Sequence, residues 1–197
     1  MTFANAIKAW VLSAVLVAPA FANDATALVE RTAQQLIASV QAHSDAPASL
    51  AEEVGAVLDP VVDFARISRG VMGKTHYAAA SEAQRTRFAS VFRDSLVDTL
   101  SQALTSYGDV SISVETGKGD GVKKQSVLVQ ARRPDGNTVN IVFAMGASDG
   151  NWKVRNLTFD GVNMGLSFRS QFAGAMSAKN NDMDAVIDEW AVLDTAS

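Results

Sequence analysis

Residues 152–172, WKVRNLTFDGVNMGLSFRSQF, predict a strand, a tight turn at Asp160-Gly161 and then a helix that carries Arg169. Apolar side chains crowd both arms of this segment. No nucleophile paired with a base and no cluster of metal ligands interrupts them. The segment therefore indicates a surface that holds an apolar ligand rather than one that transforms a substrate.

The strand of this segment contains a slip in its alternation. Trp152 and Val154 are in phase, whereas Leu157 and Phe159 are displaced by one residue. Because side chains alternate between the faces of a strand, one extra residue would return all of them to the same face. We therefore predict a β-bulge near Arg155-Asn156, which would bend the sheet.

The rest of the chain predicts helices, then strands, then helices. Helical periodicity covers residues 26–42, 50–60 and 61–73, the last ending at Gly73. Ser81 and Gln84 form a capping box that begins a long helix ending near Tyr107. Strands are predicted over residues 110–114, 126–132, 138–145 and 152–159, and helices over 166–177 and 182–193. This order predicts an α+β domain whose curved four-stranded antiparallel sheet, an NTF2-like cone, packs against a helical layer.

Residues 1–22 predict a secretory signal peptide. Lys8 is their only charge, residues 9–18 are a short apolar run, and Ala20-Phe21-Ala22 has the small-x-small pattern of a cleavage site. A membrane-spanning helix needs ~20 apolar residues, so an uncleaved anchor is the less favoured alternative. We expect cleavage after Ala22, export to the periplasm, and a single domain over residues 23–197 without stable membrane insertion.

The composition argues against several classes of function. A formal net charge of −4 argues against binding nucleic acid and against an electrostatic grip of the protein on anionic lipid surfaces. The absence of cysteine removes thiol catalysis and thiolate metal sites. His43 is expected in solvent and His76 in a loop between helices, and neither has a carboxylate at metal-ligand spacing. The glycine-rich residues 117–121 lack the strand–loop–helix context of a phosphate loop and predict a hairpin loop. We therefore expect no enzyme, no metal and no cofactor.

Four blocks of sequence carry a family resemblance. They are DFARISRGVMG at residues 63–73, AQRTRFASVF at 83–92, WKV at 152–154, and DGV at 160–162 leading into FRSQF at 168–172. Their order and spacing resemble the MlaC family of periplasmic phospholipid-binding proteins, also called the toluene-tolerance auxiliary family. That family usually has a tryptophan soon after Gly73 and a tyrosine at the position of Phe168. This chain has Tyr77 and Phe168 there, which keep an aromatic ring.

The resemblance implies a hollow carrier domain that catalyses no reaction. Acyl chains of a phospholipid would insert between the sheet and the helices, with the headgroup near solvent. The carrier would shuttle lipid between an outer-membrane lipoprotein complex and an inner-membrane ABC transporter with an MCE-domain subunit, which maintains outer-membrane lipid asymmetry. Predicted facing directions give a lining of Val71, Met72, Phe88, Phe92, Leu96, Leu100, Val139, Ile141, Phe143, Leu157, Phe159, Met164 and Phe172. Arg169 would lie near the mouth, where it meets a phosphate or forms a structural ion pair.

Two alternatives to a lipid carrier remain open at this point. Apolar periodicity alone favours a closed core, and a solid-core periplasmic adaptor would act only through protein contacts. A small cone-shaped enzyme of the isomerase or dehydratase type would place an Asp or a His inside the cavity. The predicted strands offer neither residue in phase with their apolar face.

Overall fold

The computed structural model describes residues 24–43, 45–107, 110–148 and 150–190. The predicted signal peptide and its cleavage site lie outside these residues. The elements confirm the predicted α+β order. They are α1 (Ala25–His43), α2 (Pro47–Leu58), α3 (Phe64–Ala79), α4 (Glu82–Tyr107), β1 (Ser111–Gly119), β2 (Lys124–Arg132), β3 (Thr138–Ser148), β4 (Asn151–Phe159), β5 (Val162–Asn163), α5 (Met164–Ala178) and α6 (Met183–Trp190).

The sheet is an antiparallel meander in the order β1-β2-β3-β4-β5. The prediction of four strands missed β5, which contains only two residues. Asp160 (φ 43°) and Gly161 (φ 85°) both have positive φ, as a type I′ hairpin turn requires, and they reverse the chain from β4 into β5. The strand–turn–helix prediction for residues 152–172 therefore holds, with a short strand inserted before the helix.

The predicted β-bulge in β4 is confirmed. Ala144 of β3 pairs with Asn156, whereas its neighbour Met145 pairs with Val154, so Arg155 is the extra residue. The bulge returns the apolar residues on either side of it to one face of the sheet, as the slip in alternation required.

Gly73 ends a helical segment, as predicted, but a second helical segment follows it directly where a loop was expected. Gly73 (φ 69°, ψ 168°) is a kink inside α3, and helix resumes beyond it as far as Ala79. Glycine adopts positive φ without steric cost, so the chain bends here and continues. His76, expected in a loop, consequently lies on the second half of α3, where its ring meets the ring of Phe172 at 5.8 Å between centroids.

The long helix α4 begins at the predicted capping box. The Ser81 N–H donates to Gln84 Oε1 (3.0 Å), and the Gln84 N–H donates to Ser81 Oγ (3.2 Å). Helix α4 packs mainly on α2, α3 and α6, whereas the sheet is contacted by α1, α3 and α5. The helical layer and the sheet therefore bury their apolar side chains in largely separate groups.

Buried apolar residues form three clusters in the described part of the chain. The helical cluster joins α3, α4, α5 and α6 around Phe88 and Trp190. The sheet cluster joins β2, β3 and β4 to α1 and to Val61, which precedes α3. A small cluster joins α2 to α4 through Leu50, Val54 and Val97. No helix within the described ranges is long and apolar enough to cross a membrane.

Candidate functional site

One face of the sheet is apolar over most of its length, and we call it the apolar face. The strand register aligns Val114 with Val129, Val129 with Ile141, and Ile141 with Phe159, so each strand contributes to the same side. Its members are Ile112, Val114, Val127, Val129, Ala131, Val139, Ile141, Phe143, Met145, Trp152, Val154, Leu157 and Phe159. Val139, Ile141, Phe143, Leu157 and Phe159, all predicted to line a lipid cavity, are thus brought together on one surface.

Burial along the apolar face is uneven. At one end, Val127, Met145 and Val154 expose 0%, 3% and 7% of their surface, because α1 and Val61 cover them. We call this the buried end. At the other end, Val139, Ile141 and Leu157 are only half-buried, and Phe159 is 36% exposed.

Exposed apolar side chains continue beyond this open end. Val162 of β5 is 55% exposed, and Leu166 in the first turn of α5 is 61% exposed. Val162 pairs with Phe159 and so lies on the same side of the sheet. The apolar face is therefore closed by helices at its buried end and reaches solvent at its open end.

The helices α4 and α5 supply further half-buried apolar side chains. Leu96 packs against the helical cluster, and Leu100 packs against the cluster of α2 and α4. Met164, at the start of α5, is also half-buried. These predicted lining residues retain surface that a ligand can contact.

The other predicted lining residues have no free surface in this conformation. Val71, Met72, Phe88, Phe92 and Phe172 are at most 2% exposed and all belong to the helical cluster. The rings of Phe88 and Phe172 meet edge to face at 4.9 Å, and both also contact Trp190. Trp190 was not among the predicted site residues, although its position on an amphipathic last helix was a usable signal. These side chains form packed core, so a role for them in holding lipid stays a prediction.

Two of the clefts on the described surface contain no predicted lining residue. The first, of about 460 Å³, lies between α1 and α2 and includes Leu28, Arg31 and Glu53. The second, of about 510 Å³, lies beside residues 59–65 and the start of β4. A hollow between the sheet and the helical layer therefore stays a prediction, with the open end of the apolar face as its entrance.

Arg169 projects from α5 onto the kink of α3. Its Nε and Nη2 atoms lie 3.0 Å from the point that a Cβ on Gly73 would occupy, so the glycine makes room for the guanidinium. Within the described ranges, Arg169 is exposed and makes neither a hydrogen bond nor an ion pair. Of the two roles considered from the sequence, the ion pair is not formed with any described residue.

A polar joint ties the bulge of β4 to the start of α5. Asn156 Oδ1 accepts the Gly165 N–H (3.0 Å), and Asn156 Nδ2 donates to Asn163 Oδ1 (3.0 Å). Asn163 in turn caps α5 by accepting the Leu166 N–H (3.1 Å). The bulge therefore fixes where α5 begins, and with it the position of Phe168 and Arg169.

An ion pair fixes α2 against α4. The Arg93 guanidinium donates to both carboxylate oxygens of Asp59 (2.9 Å each) and lies over Gly55, where a side chain would collide with it. Its hydrogen bonds hold the pKa of the Asp59 carboxyl below its ordinary value. The same carboxylate, together with Asp94, raises the pKa of Arg93. This pair supports the scaffold and lies away from the apolar face.

Groups suited to catalysis or metal binding are scattered in the described structure. No group of three or more His, Asp or Glu residues there could hold a metal ion. His43, expected in solvent, contacts Glu53 (2.7 Å between Nδ1 and Oε2), and His76 packs on an aromatic ring.

Together, the fold and the site define a class: an α+β domain with an apolar sheet face that is closed at one end and open at the other. The family model described as MlaC protein matches residues 30–192. The chain therefore belongs to the MlaC family.

Two relatives agree with this membership, and a solved structure shares the fold. The chain is 32% identical to the toluene tolerance protein Ttg2D of Pseudomonas putida, over 83% of this chain and 78% of that protein. It is 26% identical to the intermembrane phospholipid transport system binding protein MlaC of Haemophilus influenzae, over 80% of this chain and 81% of that protein. A phospholipid-binding protein from Ralstonia solanacearum, solved with a phospholipid, has the same fold, with a TM-score of 0.75 at 20% identity over 87% of this chain and 99% of that one.

Proposed function

We propose that this protein is a periplasmic phospholipid carrier that holds acyl chains against the apolar face of its sheet. The observation that carries the proposal is the gradient along that face, which is buried under α1 at one end and open to solvent at Phe159. A lipid would enter at the open end with its acyl chains first. The headgroup would stay outside, within reach of Arg169.

The energetics of this arrangement favour apolar cargo. Burying about ten methylene groups of an acyl chain stabilises a complex by about 8 kcal/mol. Part of that free energy is used to move half-buried side chains of the sheet, such as Ile141, out of their present contacts so that an acyl chain can lie against the apolar face. The densely packed helical cluster around Phe88 would stay intact during this opening.

The family supports the cargo and the setting of the proposal. One relative is named as the binding protein of an intermembrane phospholipid transport system, and the solved relative holds a phospholipid. We infer that this protein carries phospholipid between an outer-membrane lipoprotein complex and an inner-membrane ABC transporter with an MCE-domain subunit. The carrier would thereby maintain outer-membrane lipid asymmetry, without catalysing a reaction.

Lipid carriage is testable on protein purified from the periplasm. Native mass spectrometry should show a mass increment that disappears after organic extraction, and the extract should contain phospholipid in proportion to protein. Protein that never carries phospholipid, even when expressed in cells with intact membranes, would contradict the proposal. Reloading of delipidated protein from labelled vesicles gives an independent readout.

The part played by Arg169 needs a separate comparison. Arg169→Gln should weaken binding of phospholipid while leaving the affinity for an uncharged diacylglycerol unchanged, because only the phosphate meets the guanidinium. The matched control is Arg66→Gln, which changes an exposed arginine on a different helix, α3. Equal losses for both lipids would show that Arg169 supports the helices and does not contact the headgroup.

A further inference from the structure

The hairpin that joins β1 to β2 has a tip held in one shape by its own hydrogen bonds. The Asp120 carboxylate accepts the N–H groups of Val122, Lys123 and Lys124 at 2.9, 2.7 and 2.9 Å. These bonds lower the pKa of Asp120 to about 2. Gly121 supplies the positive φ (67°) that the turn needs. One oxygen of the Asp120 carboxylate, Oδ1, accepts all three of these bonds, and the group keeps its negative charge.

Bonds at the base of the hairpin extend this order into the strands. Gln125 Nε2 donates to the Gly117 carbonyl (2.7 Å), and Ser126 Oγ donates to the Lys118 carbonyl (2.9 Å). At Gly119, the carbonyl of Lys124 leaves no room for a Cβ. The hairpin thus presents its side chains from an ordered backbone, which lowers the entropy lost on contact with another surface.

The side chains presented at the tip combine positive charge with one apolar group. Val122 is 70% exposed at the apex. Three lysines lie within four residues of it in the sequence: Lys118, Lys123 and Lys124. All three are exposed and form no ion pair within the described ranges. A single exposed valine has no significance alone. An exposed valine flanked by lysines has the composition of an interfacial anchor, in which the apolar group enters the headgroup region and ammonium groups meet phosphates.

Cationic side chains continue from the tip across the outer face of the sheet, opposite the apolar face. Lys124 pairs with Gly146, which pairs with Lys153, so these residues form one row across three strands. Lys153 Nζ donates to the Asp59 carbonyl (3.5 Å), so Lys124 is the lysine of this row that can meet another surface. The Arg155 guanidinium occupies the space that the missing side chain of Gly146 leaves. It donates to the Ala147 carbonyl (3.3 Å), while its buried Nε has no partner in the described structure. This local charge contrasts with the net charge of −4 of the whole chain.

We propose that the hairpin tip is a reversible anchor for an anionic bilayer surface. Charge complementarity selects anionic phospholipid headgroups, and the exposed Val122 favours a bilayer over a purely polar acidic surface. The tip lies beyond the buried end of the sheet, since Lys124 and Gly146 neighbour Met145 and not Phe159. A protein anchored in this way keeps the open end of the apolar face uncovered, so anchoring and cargo exchange use different surfaces.

Vesicle flotation with the mature protein tests this anchor. The protein should float with vesicles of equal parts phosphatidylglycerol and phosphatidylcholine at low salt, and should remain behind with pure phosphatidylcholine or at high salt. Each lysine should contribute about fivefold to partitioning, or about 1 kcal/mol. The triple variant Lys118→Ala, Lys123→Ala, Lys124→Ala should therefore lose roughly a hundredfold. Val122→Ser should weaken binding severalfold at any salt concentration.

A matched triple variant controls for net charge. Arg31→Ala, Arg66→Ala, Lys74→Ala also removes three cations that are exposed and form no ion pair within the described ranges. It should float almost as well as the unmodified protein. Three results would overturn the proposal. They are equal flotation with both vesicle types, equal losses in both triple variants, and undiminished flotation of the hairpin variant. The last result is also the one expected if the hairpin serves an acidic protein. Co-purified phospholipid, measured separately on each variant, should not change, so failure of the anchor is distinguishable from failure of the carrier.

Discussion

Val139→Trp should remove lipid binding and leave the protein folded. Val139 lies on the apolar face at the open end, and it is half-buried. The pairing of β3 with β4 stops at Ile141, which pairs with Phe159, so no β4 residue lies opposite Val139. An indole ring placed there has room to lie along the apolar face. The free energy of unfolding should therefore fall by less than about 1 kcal/mol.

The loss of binding can be estimated from the length of acyl chain that the indole displaces. An indole that excludes roughly four methylene groups removes about 3 kcal/mol of binding free energy, at about 0.8 kcal/mol each. The dissociation constant should rise about 200-fold. Transfer of a phospholipid with a fluorescent acyl chain to delipidated protein measures this change, and urea denaturation of the same sample measures stability.

Val127→Trp is the matched control, because it makes the same substitution on the adjacent strand at a fully buried position (0% exposed). Overpacking there should cost ~1–3 kcal/mol or more. If Val139→Trp destabilises the protein as much as Val127→Trp does, the apolar face is closed along its whole length. If Val139→Trp leaves lipid affinity unchanged, the acyl chains lie elsewhere. Either result would refute the reasoning and favour a solid-core adaptor.

Four further substitutions test the scaffold. Phe88→Ala, in the packed helical cluster, should lower the free energy of unfolding by about 3–5 kcal/mol in urea denaturation, and a loss below about 1 kcal/mol would contradict dense packing. Gly165→Ala should lower the free energy of unfolding, because the new Cβ would lie 2.6 Å from Asn156 Oδ1, the atom that accepts the Gly165 N–H. Gly174→Ala, on the same helix, has open space around the new Cβ and should raise the free energy of unfolding by up to about 1 kcal/mol. Changes of the same sign at both glycines would be inconsistent with the joint described at the start of α5. Asp59→Asn should make the free energy of unfolding fall less steeply as the pH is lowered into the acid range. The Arg93 bonds hold the folded-state pKa of Asp59 below its unfolded value, so the pair stabilises above the unfolded pKa and is lost as pH falls through the folded pKa. The free energies of unfolding of the variant and the unmodified protein should differ by no more than about 1 kcal/mol, because the Asp59 carboxylate is half exposed. If the Tm values of both proteins fall in parallel as the pH is lowered, the ion pair does not contribute to stability.

Local sequence rules predicted the elements that depend on neighbouring residues. The capping box at Ser81 and Gln84 located the start of α4, because both of its hydrogen bonds join residues three apart. The slip in alternation located the bulge at Arg155, because side-chain parity must be restored on a buried face. The helix that follows Gly73 was missed, because a glycine that ends one helical segment can be followed by a loop or by a second segment, and the choice depends on what packs beyond it.

The site was only partly predictable from sequence. The register of the strands places Ile141, Phe143 and Leu157 together, as the alternation indicated. Helical periodicity identified Phe88 and Phe172 as inward-facing, but it does not distinguish a side chain that packs on other rings from one that borders a cavity. That distinction depends on the distance between α4 and the sheet, which arises from contacts distant in sequence. The exposed guanidinium of Arg169 was likewise beyond sequence, since its lack of an ion pair with any described residue depends on contacts in three dimensions.

Photo-crosslinking along β3 tests most directly whether acyl chains lie on the apolar face. A benzophenone side chain placed singly at Ile141 or Phe143 would point to that face, whereas one at Asn140 or Val142 would point to the outer face. Val142 is the matched apolar control, because it is 37% exposed on the opposite side. We expect co-purified phospholipid to be crosslinked from Ile141 and Phe143 and not from Asn140 or Val142. Crosslinks without this alternation, or from Val142 alone, would contradict the account.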